Sequence, residues 1–372
     1  MKQIFVILPV LFSLSASSQN PHFPKLKIDV PCTQEFLDSY KGKWLKPDAI
    51  SNGQSKDFMQ GGMNRIQEVQ QLFVQIYPQP LGADVNWSGG YAKSYFAEKV
   101  KYIPQDGINR PETISQNIVN GWNFHLGISP WYCDHAAKNT IMNGYPDIGD
   151  ATGIVLNVNN IEAIVNGAVA EDDMMTINQQ PIKYKMPVIG KWKGYDVMNV
   201  VAAGLSNERF ILITRNGMLP YIPVTRKQYL DRAIAFLTKT YDEWITLADN
   251  DPDKAQAAAN KKRTINDKSG ILKKYRDELE ASAKNGSLDL PAIIQRIEMF
   301  PTDATIFSTE AEGGRMLVTN NPTYFRKDLP GFIPQTFVLQ WMWGSHLKSS
   351  ADFRKAFEDN FPVEKLQEMI DR

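Results

Sequence analysis

The segment Trp131-Tyr132-Cys133-Asp134-His135 places a thiol, a carboxylate and an imidazole in consecutive positions. A cysteine nucleophile with a histidine base needs such groups, and so does a metal site. In a strand, however, adjacent side chains point to opposite faces, so these three do not converge unaided. No second His or Cys stands at ligand spacing, and His22, His125 and His346 are scattered. An approach of His125 to His135 on neighbouring strands is the one form of the idea worth testing. Otherwise the segment reads as structural, and no residue set is assigned to a metal or a cofactor.

Asp249, Asp251 and Asp253 imitate the start of a calcium loop, but Lys254 stands where glycine is needed and Asn260 where the bidentate glutamate belongs. A solvated turn with Asp253 capping the next helix is the simpler reading. Asp147, Asp150 and the Glu171-Asp172-Asp173 run are suited to turns as well as to an ion. Phe337, Leu339, Trp341 and Trp343 alternate and therefore share one face of a strand. Trp341 and Trp343 are candidate stacking platforms for a sugar, with a packed core seam as the simpler alternative. Arg215, Arg226 and Lys227 bring three positive charges near a turn and a helix start. They are either an anion or carboxylate grip or ordinary paired surface charge. No Gly-rich phosphate loop, nucleophile-elbow serine or HExxH motif occurs. Paired carboxylates leave no local signature, so a hydrolase stays open.

These residues must be positioned by elements of both kinds. Helical spacing runs from Thr33 to Tyr40 and from Asn64 to Ile76, where Tyr77-Pro78-Gln79-Pro80 stops it. Trp87, Gly89 and Gly90 read as irregular. From Asn117 to Val224 the signals are short alternating strands, among them Trp122-Asn123-Phe124-His125-Leu126 and Ile154 to Val158. Phe210 to Thr214, followed by Asn216-Gly217, predicts a hairpin whose return strand, Met218 to Thr225, holds Pro220 and Pro223 and so belongs at a sheet edge. Thr225 and Gln228 form a capping box for a helix reaching Asn250, and a second helix runs from Asp253 to Lys284. The two form an αα-hairpin. A short helix from Pro291 to Met299, a strand from Phe337 to Trp343 and helices from Ser350 complete the chain. The fold class is α+β, an antiparallel sheet with packed helices and an appended αα-hairpin. A soft boundary near Tyr229 divides residues 19–228 from 229–372, unless the whole is one domain.

The phrases Tyr77-Pro78-Gln79-Pro80, Trp87-Ser88-Gly89-Gly90, Ile213 to Tyr221, Pro223 to Leu230 and Gln335 to Trp343 resemble a group of uncharacterised exported proteins from Bacteroidota-type bacteria. The resemblance covers most of the chain and implies a bacterial envelope location. The group has no assigned activity, so no catalytic residue is carried over.

The N-terminus agrees with that address. Met1-Lys2-Gln3, an apolar stretch from Ile4 to Leu14 and the small residues Ser15 to Ser18 have the layout of a cleaved export signal, residues 1–18, with the cut before Gln19. The apolar part is shorter than the roughly 20 residues of a membrane span, and no later stretch is long enough. The 372-residue chain has 41 basic and 41 acidic residues, and loss of Lys2 leaves the exported form nearly neutral. Nucleic acid is therefore excluded as a main partner, since that affinity comes from phosphate neutralisation. Cys32 and Cys133 either form one disulfide, admissible outside the cytoplasm, or stand as two buried thiols. The function expected is non-catalytic binding of a ligand or an envelope partner, in the periplasm or outside the cell. A secreted hydrolase of glycan or peptide polymers is the alternative.

Overall fold

A computed structural model describes residues 32–47, 50–51, 56–94, 97–105, 108–116, 119–135, 140–144, 151–168, 176–177, 180–199, 207–250, 252–295, 305–344 and 346–372. The expected signal peptide, the leader Asn20 to Pro31, and Asp147, Asp150, Glu171, Asp172, Asp173 and Asp251 lie outside these residues.

Six α-helices are described: α1 Gln34–Ser39, α2 Lys56–Ile76, α3 Arg226–Asp249, α4 Lys254–Lys284, α5 Lys348–Asn360 and α6 Val363–Met369. The main sheet has nine strands. Across it the order is Ile50–Ser51, Ala83–Ser94, Val119–Asp134, Thr152–Val158, Thr336–Met342, Glu208–Thr214, Tyr195–Met198 and Val188–Trp192, with Thr140–Asn143 added beside the far end of Val119–Asp134. Its pairings are antiparallel except that of the two-residue Ile50–Ser51 strand. A second sheet joins Tyr221–Pro223, Arg315–Asn320, Lys183–Lys185 and Val165–Ala168, and Ile293–Ile294 pairs with Arg315–Met316.

Alternation along the strands divides the core between layers. Phe124, Leu126, Leu156, Ile211, Phe337, Leu339 and Trp341 point to one face of the main sheet, where Ile66, Val69 and Phe73 of α2 and Phe353 and Phe357 of α5 meet them. Phe73 stacks on Phe124 at 5.4 Å and on Phe361 at 4.6 Å between centroids. Each such buried ring contributes roughly 1.5–3 kcal/mol through removal of apolar area from water. On the other face Phe210, Met198 and Val338 pack with Val318, Met316 and Tyr221 of the second sheet. The far side of that sheet, through Tyr184, Leu317 and Ile294, receives Leu230, Ala233 and Leu237 of α3 and Ile271, Leu272 and Tyr275 of α4. The fold is α+β, in four successive layers: helices, large sheet, small sheet, αα-hairpin.

Local signals explain the starts of the two long helices of the αα-hairpin. The Thr225 hydroxyl accepts from Gln228 N–H while Gln228 Oε1 accepts from Thr225 N–H, closing the capping box expected for α3. Asp253 accepts from Ala255 and Gln256 N–H at the start of α4. Lys261–Asp249 and Lys268–Asp242 ion pairs then lock the two helices antiparallel.

Several expectations need correction. Asn216 and Gly217 do take positive φ, 41° and 73°, but no hairpin follows. Glu208–Thr214 pairs with Thr336–Met342, whereas Tyr221–Pro223 crosses to the edge of the second sheet and pairs with Arg315–Asn320. Residues 87–90 are regular strand rather than irregular. Gly89 is needed there because a Cβ would lie 2.9 Å from Asn123 O and 3.0 Å from the Ile66 side chain, so its absence lets α2 sit close. Pro291 bridges Thr225, and Ile293–Ile294 is a strand, so no helix starts at Pro291. The 228/229 position falls in the first turn of α3, and residues 19–228 and 229–372 share the main sheet, because Thr336–Met342 fills its middle.

Candidate functional site

Trp341 and Trp343 are only 3% and 8% exposed, so neither can offer a ring face to a sugar. Both point to the helix side of the sheet because the alternation that groups them also groups them with Phe337 and Leu339. Trp341 lies 5.0 Å from Trp192 and donates its indole N–H to Glu358 at 3.0 Å, while the Arg354 guanidinium covers Trp343 at 3.7 Å. The stacking-platform reading is overturned.

The cationic trio does not converge either. Arg215 donates to Tyr324 O at 3.1 Å, to Gln335 Oε1 at 3.0 Å and to Asp371 Oδ1 at 2.7 Å, with Nε 2.5 Å from Asp371 Oδ2. Its guanidinium is spent on tying the chain end to the sheet, which leaves none of it for an anion. Arg226 instead lies over the Phe307 ring at 4.6 Å and reaches Ser287 Oγ at 3.4 Å, and Lys227 pairs with Asp231 at 2.6 Å. With different neighbours for each, the grip is not formed.

Cys32 and Cys133 stand at disulfide distance, Cα to Cα 5.5 Å, which removes the thiol from the Trp131–His135 segment as a nucleophile. The bridge sits with Leu37, Trp131 and Ile141 in a small apolar cluster. His125 lies within Val119–Asp134 and His135 directly follows it, so ten residues of one extended strand, about 33 Å, separate them. They cannot meet. Among the described residues no group of three His, Cys, Asp or Glu is placed to hold a metal ion. Asp249, which was to open the calcium loop, is paired with Lys261 at 2.8 Å.

What residue-by-residue inspection missed is the second face of the main sheet. Register places Ser88, His125, Val155, Gln340 and Phe210 side by side across five strands. The flanking row toward one end is Gly90, Asn123, Asn157, Val338 and Leu212, and toward the other lie Asn86, Gly127, Met342 and Glu208. Strands are about 4.8 Å apart and same-face neighbours on one strand about 6.8 Å. The second sheet packs on Phe210, Leu212 and Val338. Val155, between His125 and Gln340 in the central row, is half-buried and outside that cluster. Beyond it the face turns polar, with Ser88, Asn123, His125 and Asn157 all half-buried. Among the described residues, no hydrogen bond ties these four side chains to another protein group.

Burial holds the His125 imidazole below its ordinary pKa, which favours the neutral ring. Burial pushes the Glu208 carboxyl up, partly offset by a hydrogen bond from Gln340 Nε2. His125 and Glu208 are three strand spacings apart, roughly 14 Å, too far for a direct acid–base pair. Asp84 also points to this face, but it is closed off by Lys43 N–H at 2.9 Å and stands four strand spacings from Glu208. Among the described residues this face therefore has no pair of facing carboxylates of the kind that cleaves glycosidic bonds. Its half-buried donors and acceptors are Ser88, Asn123, His125 and Asn157, beside the hydrogen-bonded Gln340 and Glu208.

Comparison with protein-family models, with curated proteins and with solved structures finds no match for this chain. The site must be read from its own chemistry. Among the described residues no helix is long and apolar enough to cross a membrane. The signal that marked this face was the alternation in Trp122-Asn123-Phe124-His125-Leu126, in which every polar residue falls on one side.

Proposed function

We propose that the chain is an exported bacterial envelope protein that binds a small polar ligand, without turning it over, on the second face of its main sheet. The observation that carries the reading is the half-buried set Ser88, Asn123, His125 and Asn157, whose side chains have no protein partner among the described residues. Side chains that keep part of their surface open exchange water for a ligand's polar groups at little cost, and a ligand spanning three strands would meet all four. The cysteine pair at disulfide distance is compatible with an oxidising compartment and with the signal-like N-terminus.

The test is a thermal-shift screen of the mature protein against a library of small polar molecules, followed by calorimetry on the hits. Replacing Asn157 or His125 by alanine is expected to weaken a hit by about 5-fold each, as loss of one hydrogen bond of about 1 kcal/mol requires. Hits indifferent to both substitutions would remove this face from consideration.

A further inference from the structure

Resting on the binding face proposed above, we infer that its ligand is an uncharged, hydroxyl-rich saccharide. The inference comes from which chemistries the face can satisfy. Ser88 stands directly opposite His125, and Asn123 directly opposite Asn157. Each pair offers a donor and an acceptor within one strand spacing. A hydroxyl group acts as both at once, and a sugar ring carries several on adjacent carbons in a fixed arrangement, so several contacts form for one ordering cost.

The other ligand classes fail on the same residues. A hydrocarbon would strand the two amides, the hydroxyl and the imidazole without partners. An anion would meet no cation, because among the described residues none of these three rows contains a lysine or arginine. It would also face Glu208 beside Gln340. The imidazole, held neutral by its surroundings, adds no positive charge to attract it. A cation would find Glu208 alone, at the covered margin of the face. An extended peptide needs a free strand edge for its own amides, whereas this is the face of a sheet whose backbone groups are engaged in ladders on both sides of Val119–Asp134 and Thr152–Val158. What remains is a neutral molecule recognised by side chains alone.

The experiment is calorimetry of the full mature chain with three matched probe sets: neutral gluco-, xylo- and manno-oligosaccharides, oligouronates, and oligoglucosamines. Each set is repeated on Asn157→Ala and His125→Gln, with thermal melting as a check that both variants fold. The expected result is binding of a neutral set that weakens at least 5-fold in each variant while the charged sets bind at least 10-fold more weakly. Preference for a charged set, with the same sensitivity to the two substitutions, would overturn the saccharide inference and leave the binding face standing. Neutral-sugar binding unaffected by either substitution would overturn both. Absence of binding by every set would overturn the saccharide inference.

Discussion

Reducing the Cys32–Cys133 bridge tests how the N-terminal part of the described chain is held. The two cysteines are 101 positions apart. In the chain-entropy model a closed loop of about that length restricts the unfolded chain by about 4.7 kcal/mol at 25 °C. The folded state has other means of holding the same segment. Gly42 N–H donates to Pro80 O at 2.9 Å, Gly82 N–H to Tyr40 O at 2.8 Å, Val85 N–H to Lys43 O at 3.0 Å, and Leu37 is buried beside Trp131. The doubly substituted Cys32→Ser/Cys133→Ser protein should therefore stay folded but lose stability, by an amount approaching 4.7 kcal/mol and reduced by any native strain the bridge relieves when removed. Urea unfolding of the oxidised protein, the reduced protein and the double variant, followed by tryptophan fluorescence, measures this directly. The reduced protein and the variant should agree with each other. A loss under about 1 kcal/mol would refute the argument that loop closure dominates, and so would loss of the native fold in the variant.

Three further outcomes are expected. Arg215→Met should cost about 2–3 kcal/mol in urea unfolding, since it strands Asp371 and Gln335 at a site where both charged side chains are largely covered; a change under 0.5 kcal/mol, a value in the range of ordinary surface substitutions, would mean the clamp is incidental. Gly121→Ala places a Cβ 2.1 Å from Val158 O in the strand beside it, so the ladder must shift, and a loss of at least about 2 kcal/mol is expected by the same assay. His125 is held neutral by burial, so below about pH 6.5 the unfolded chain takes up a proton that the folded protein refuses, and stability falls as pH drops through that value toward the lower folded pKa. His125→Gln should lose less stability than the parent between pH 7.5 and pH 5.5; equal losses would show that this imidazole does not report burial.

Local chemistry was legible where it is local. Thr225 with Gln228, Asp253, the positive φ of Asn216 and Gly217 and the amphipathic spacing of Ile66, Val69 and Phe73 all depend on residues within a few positions of one another, and each stands as its pattern implies, although the hairpin read from Asn216-Gly217 does not. The partner of the Phe210 to Thr214 strand was not legible, because it lies more than 120 residues on, in Thr336–Met342. For the same reason the alternation of Trp341 and Trp343 told which residues share a face but not what covers it. α5 and Trp192 decide that, and they make it core. The polar face was hidden by dispersion. Its residues come from positions 88, 123, 125, 157, 208 and 340, and strand pairing alone assembles them.

That central position of Thr336–Met342 also sets an order of events. The strand at the middle of the main sheet is synthesised more than 120 residues after its neighbour Glu208–Thr214. Until residue 342 exists, Thr152–Val158 and Glu208–Thr214 each present one open edge, and the apolar seam formed by Phe337, Leu339 and Trp341 is missing from between them. Assembly therefore cannot track synthesis from the N-terminus. It awaits a strand more than 120 residues beyond Thr214, as expected of a sheet built from pairings distant in sequence. A polypeptide built this way cannot close its central layer early. The corresponding hazard is two exposed strand edges during the wait, a period in which pairing with other chains competes with folding.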